Sequence, residues 1–153
     1  MDVSTMFLTL GVGLLLGIVA ITIVWYVAFS YSHMKALNAL GYSKPWLAWI
    51  PFGVYYACAE AVEPEDHPVQ ILGSFEVPGV VFRFWWVVPL VLTVVPISFG
   101  SLITLAMSII FSGSAYAKMY AVLYKTSEKE EQVIGCVSGF LPIVAVVKFF
   151  AMR

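Results

Sequence analysis

The sequence predicts an all-α fold: an integral membrane bundle of about four transmembrane helices plus an interfacial or re-entrant amphipathic segment. Three observations carry that expectation. Hydrophobic residues make up 61% of the 153 and charged residues 11%, with a mean hydropathy of +0.95; water-soluble domains carry about 45–50% and about 25%. A soluble chain of this length could not hide so much apolar surface, so lipid must replace the missing polar shell. Long uncharged runs recur along the chain, at Val3–Ser32 and Phe84–Ala117. The hydrophilic residues are concentrated in the connections between them.

The chain reads as a single membrane domain over 1–153. Its first span is expected at 6–29, since a crossing needs about 20 apolar residues. Trp25, Tyr26 and Tyr31 fall near one interface, where aromatic rings favour the headgroup level. From His33 to Gly41, Met34, Leu37 and Leu40 recur at helical spacing, which predicts a short amphipathic helix in the headgroup plane, capped by Gly41. In the Pro45–Ala59 stretch, Pro45 suits a first helical turn and Pro51 breaks or kinks the helix it opens. Two Trp and two Tyr there favour an interfacial or re-entrant segment, about 33–60 in all; a kinked, tilted span is the alternative.

Residues 62–79 form the hydrophilic loop, with Glu63, Glu65, Asp66 and His67 beside Pro64 and Pro68, and a small strand pair between Gln70 and Val77. As one straight helix, Phe84–Ala117 would run roughly 51 Å at ~1.5 Å per residue, too long for a ~30 Å hydrocarbon core. Pro96, Ser98 and Gly100 offer a turn, so the expected spans are 80–97 and 101–124, packed antiparallel. Lys125–Gln132 reads as a charged hinge. The last span is expected at 133–150, kinked at Pro142, which should face protein because lipid cannot satisfy the carbonyl it frees.

Orientation follows from the basic residues. With four spans, Lys35, Lys44, Arg83, Lys118, Lys125 and Lys129 fall on one side, and Lys148 and Arg153 on the other. The positive-inside rule then places loops 30–79 and 125–132 in the cytoplasm, with both termini outside. Arg83, Lys118 and Lys148 lie near span ends, where long side chains can snorkel to the headgroups.

Little in the sequence points to chemistry. Net charge is −1, against a nucleic-acid partner. The two cysteines, Cys58 and Cys136, form neither a disulfide framework nor a CxxC pair. His33, Cys58, Glu60, Glu63, Asp66, His67 and Cys136 are suitable ligand types but lack metal-site spacing. Ser114 and Lys118 are four apart, yet serine is an ordinary packing residue in membrane helices. No catalytic residue, metal or cofactor is expected. The start lacks the basic n-region and cleavage pattern of a secretory signal.

The clearest pattern is one of small residues: Gly13 and Gly17 in the first span, Gly113, Ala117 and Ala121 in the third, Gly135 and Gly139 in the fourth. Such ladders let helix backbones approach where lipid supplies no hydrophobic drive. They are the candidate packing positions, and Trp46, Trp49, Trp85 and Trp86 the candidate interfacial anchors.

The stretch Met34-Lys35-Ala36 followed by Gly41-Tyr42-Ser43-Lys44-Pro45-Trp46-Leu47-Ala48-Trp49-Ile50-Pro51 resembles a segment of a broad group of small, uncharacterised bacterial multi-span membrane proteins. In them a Lys/Gly turn precedes a Trp-x-x-x-Ile-Pro run. Ala115-Tyr116-Ala117-Lys118 and Phe140-Leu141-Pro142-Ile143 resemble their later helices. Where many of them carry Pro-x-Tyr-Asn, this chain reads Pro51-Phe52-Gly53-Val54. The resemblance implies a bacterial inner (plasma) membrane location and no particular chemistry. The functional expectation is a non-catalytic membrane protein packing with itself or a partner membrane protein. A minimal transporter or channel subunit is the alternative, and a membrane-embedded enzyme ranks last.

Overall fold

A computed structural model describes residues 2–95 and 98–152 of the chain, and it is mostly helical. Pro96 and Ile97, at the expected mid-chain turn, and Arg153, counted among the bases, lie outside the described residues. Two helical stretches, Thr9–Ala39 and Gly100–Tyr124, are long and apolar enough to cross a membrane.

Helix α1 runs without interruption from Val3 to Ala39, about 55 Å. This corrects the expectation of a separate amphipathic helix after residue 29: no Gly or Pro lies between Phe29 and Gly41, so nothing stops the helix earlier. Gly41 then ends it in the left-handed region, φ +73°. The Gly41 N–H donates to Asn38 O and the Tyr42 N–H to Leu37 O, both at 3.0 Å, which is the paired closure of a Schellman cap. The two halves of α1 differ. Residues 9–27 are exposed, whereas Ser30, Ser32, His33, Ala36 and Leu37 are fully buried.

A 3-10 helix, Pro45–Trp49, and α2, Gly53–Val62, come next, separated at Pro51 and at Phe52, which takes φ 65°. Both are far shorter than a crossing, so the tilted-span alternative does not form. The expected strand pair is present: β1 (Pro68–Ile71) pairs antiparallel with β2 (Phe75–Pro78), with Val69 and Ile71 buried. Leu72 and Gly73 both take positive φ, the geometry of a tight hairpin turn.

The expected second span is two helices, α3 (Gly79–Phe84) and α4 (Val87–Val94). Pro89 supplies the reason. It has no N–H to offer Trp85 O four residues back, and that carbonyl accepts from Val88 instead, at 3.2 Å. The third span is close to expectation: α5 (Gly100–Met107), a π-helical turn over Ser108–Ser112, and α6 (Gly113–Tyr124) run on as one rod.

Lys125 closes α6 at φ 55°. The charged hinge is shorter than expected, because Glu128 already opens α7 (Glu128–Phe140). Ser127 and Glu130 form a reciprocal capping box, and Glu128, Glu130 and Glu131 occupy the first turn, where the helix dipole favours negative charge. The expected last span is also broken. Leu141 turns extended, as a residue before proline prefers, and α8 (Pro142–Phe150) begins anew. Instead of continuing, α8 returns alongside: Lys148 pairs with Glu131 in the first turn of α7, and Tyr124 donates to Lys148 O at 2.7 Å.

The core joins the buried half of α1, α2, α6 and α8 through Leu37, Val54, Ala57, Cys58, Met119, Tyr120 and Phe149. A smaller cluster seats the hairpin through Val69, Ile71, Phe82 and Ala115.

Candidate functional site: the α6–α7 seam and its polar flanks

Helices α6 and α7 lie antiparallel with almost no side chain between them. A Cβ added to Gly113 would come within 2.9 Å of Cys136 Cα. At Gly135 it would run into Gly113 O and sit 2.8 Å from Ala117 N. At Gly139 it would meet Ser108 O at 2.8 Å and Gly113 N at 2.9 Å. Gly113, Ala117, Gly135 and Gly139 are thus brought together as one seam, while Ala121 sits half-buried at its end. Gly13 and Gly17 are not part of it: a Cβ at either meets nothing within 4 Å.

Two serine hydroxyls beside this seam, those of Ser108 and Ser138, find partners. The break at Leu141 leaves Gly139 O without the helical N–H of residue 143, and the Ser108 hydroxyl donates to it at 2.9 Å. Ser138 gives its proton to Ile134 O at 2.8 Å, so it accepts from the Tyr120 hydroxyl at 2.9 Å. Behind the seam, His33 is wholly buried. Its Nδ1 faces Phe29 O at 2.8 Å, and its Nε2 faces the Tyr116 hydroxyl at 2.9 Å. A carbonyl can only accept, so Nδ1 carries the proton and Nε2 accepts from Tyr116. The pair bolts α1 to α6.

At the α6–α7 turn, cations and acids from distant segments close on one another. Lys118 sits 2.9 Å from Glu63 and 3.1 Å from Glu128. Lys148 pairs with Glu131 and lies 4.0 Å from the centre of the Tyr120 ring. Arg83 pairs with Asp66. Lys35 donates to Phe150 O at 3.2 Å and Met152 O at 2.6 Å, capping α8. This corrects the snorkelling expectation for Arg83, Lys118 and Lys148: nearby acids hold them inside the fold. Lys118 is committed to two carboxylates, so it is not a base for Ser114.

Glu60 accepts from Tyr42 and, at 2.8 Å, from Tyr56. Burial alone would raise its carboxyl, but these hydrogen bonds and the charges of Lys44 and Arg83 outweigh that and hold it below its ordinary value. Burial, then the Glu60 carboxylate, push the Tyr42 phenol up. Burial pushes the Cys58 thiol up to about 12, which leaves it protonated and unreactive at neutral pH. Among the described residues, no three His, Cys, Asp or Glu converge as metal ligands.

The four tryptophans separate. Trp46 is 56% exposed, as an anchor needs. Trp49 is half-buried, its indole N–H on Met34 Sδ at 3.2 Å. Trp86 is half-buried and stacks on Phe52 at 5.7 Å. Trp85 is no interfacial anchor: it is buried, stacked on Phe111 at 5.9 Å and edge-on to Tyr55 at 5.4 Å. The break between α3 and α4 falls at this residue.

Above the α7–α8 break lies an open groove of about 570 Å³, lined by Leu92, Thr104, Leu105, Ser108, Phe140 and Pro142 among others. Its lining carries no charge. The His33–Tyr116 bolt, the Lys118 and Lys148 pairs and the Ser127 cap lie beyond the expectations from sequence. The Ser127-x-x-Glu130 spacing was a legible signal for the cap; the other pairs join segments far apart in the chain. Comparison with protein-family models, curated proteins and solved structures gave no match.

Proposed function

We propose that the chain is a non-catalytic integral membrane protein that packs against a second copy or a partner membrane protein. The observation that carries this reading is the exposed part of α1. Within its most apolar 18 residues no side chain is buried by the rest of the chain, and its Gly13 and Gly17 lie open to neighbours. In water such a rod would be untenable; in a bilayer it is a span with a face fit for close helix contact. Four helical stretches would then lie in the membrane: α1, α3–α4, α5–α6 and α7–α8. The charged ends of α6 and α7, with loops 30–79 and 125–132, would face the cytoplasm, and the resemblance of Lys44–Pro51 supports a bacterial inner membrane.

The test is native mass spectrometry from mild detergent, comparing the native chain with Gly13→Leu and Gly17→Leu. A dimer or heteromeric complex that falls to monomer in both variants supports the reading. A native chain that is monomeric and free of partners refutes it. The groove at the α7–α8 break favours one other reading, a minimal transporter or channel subunit, because broken helices line many transport sites. Flux of small solutes into proteoliposomes holding the purified chain would support that second reading.

A further inference from the structure

We infer that α7 and α8 form a re-entrant hairpin, which enters and leaves the bilayer on the same face, so the end of α8 lies beside the α6–α7 turn. The inference rests on the membrane reading above and changes its topology. Three spans remain, α1, α3–α4 and α5–α6, and the two termini face opposite sides.

Length sets the condition. With 13 and nine residues, α7 and α8 are about 20 Å and about 13 Å long, so the pair could cross a ~30 Å core only by running on in one direction. Direction is the first argument. Lys148 near the end of α8 pairs with Glu131 at the start of α7. Lys35, near the end of α1, holds the carbonyls of Phe150 and Met152, and Tyr31 stacks on Phe150 at 5.9 Å. A helix crossing the whole ~30 Å core would hold Glu131 and Lys148 on opposite faces.

The tip is built for depth. Irregular backbone is tolerated within a bilayer only when buried in protein or facing a cavity. At the tip, Gly139 O is satisfied by Ser108, and Phe140 and Pro142 border the groove rather than a continuing helix.

Charge supplies an independent argument. With a fourth span, Lys148 falls on the side opposite the other bases. With the hairpin, every described Lys and Arg gathers at one end. Lys35 meets α8, Lys148 meets α7, Lys118 meets α7 and Glu63 at the end of α2, and Arg83 meets the α2–β1 loop. Lys44, Lys125 and Lys129 lie in or beside the connections at that end. The positive-inside asymmetry becomes complete among the described residues.

The experiment uses the full chain with Cys58→Ala and Cys136→Ala and one new cysteine at a time: Asp2→Cys, Ser74→Cys or Ala151→Cys. Intact cells are treated with a membrane-impermeant maleimide before and after lysis. The expected result is labelling of Asp2→Cys in intact cells and of Ser74→Cys and Ala151→Cys only after lysis. Should Ala151→Cys not accumulate, Met152→Cys repeats the readout. Labelling of position 151 or 152 together with position 2 overturns the hairpin while leaving the membrane reading intact. Release of the protein from membranes by alkaline carbonate overturns both.

Discussion

Replacing Gly135 by alanine tests the seam with a single methyl group. Its Cβ would fall on Gly113 O and within 2.8 Å of Ala117 N. Both are backbone atoms, so neither can swing aside, and α6 and α7 must part. Overpacking costs about 1–3 kcal/mol, and backbone-on-backbone contact puts Gly135→Ala near about 3 kcal/mol. Helix propensity returns about 1 kcal/mol, because alanine is the better helix former. The net loss of about 2 kcal/mol corresponds to a fall in Tm of about 4–8 °C for a chain of this size. The assay is tryptophan-fluorescence melting in mild detergent, with Gly11→Ala as the matched control. A methyl at Gly11 meets nothing and lies off the Gly13–Gly17 face, so that variant should keep the native Tm or exceed it. Equal losses in the two variants, or no loss in Gly135→Ala, would refute the seam.

Tyr116→Phe removes the donor to His33 Nε2 while keeping the ring; a loss of about 1–3 kcal/mol is expected in chemical unfolding, as for a buried acceptor left unpaired. Lys148→Met strands Glu131 in a largely enclosed site, and should cost more than the double variant Lys148→Met/Glu131→Leu, since a lone buried charge is worse than none; a double-mutant cycle on Tm measures the difference. The Glu60 carboxyl is depressed in the fold, so its contribution to stability is present above the unfolded value near 4.5 and fades as pH falls through the lower folded value. Thermal melts between pH 6 and about pH 3 should therefore show an acid-side loss that is smaller in Glu60→Gln.

Local chemistry makes several features legible from the residues alone. Gly41 marks the end of α1, because a left-handed closing residue favours glycine. The Gln70–Val77 strand pair follows from its turn-rich flanks. The helix over 101–124 follows from a long uncharged run. Gly113, Ala117, Gly135 and Gly139 are recognisable as packing positions because small residues four apart fall on one helix face. The same spacing at Gly13 and Gly17 reads identically, yet none of the described residues covers them. Periodicity tells which face is small and not what meets it.

What only the tertiary structure decided lay in pairings between distant segments and in how a broken helix resumes. Pro142 announces an interruption, but whether α8 continues across or folds back depends on what waits at its far end. Here Glu131, Tyr124 and Lys35 draw Lys148 and the last carbonyls back toward the α6–α7 turn. The acids of the hydrophilic loop looked like solvated surface because their cations lie far away in sequence: Glu63 meets Lys118, and Asp66 meets Arg83. Composition and hydropathy are sums over the chain, so the sequence by itself determined that this protein is apolar and helical. An ion pair or a buried His33–Tyr116 contact depends on two positions at once, and its energy exists only after the fold has brought them within reach.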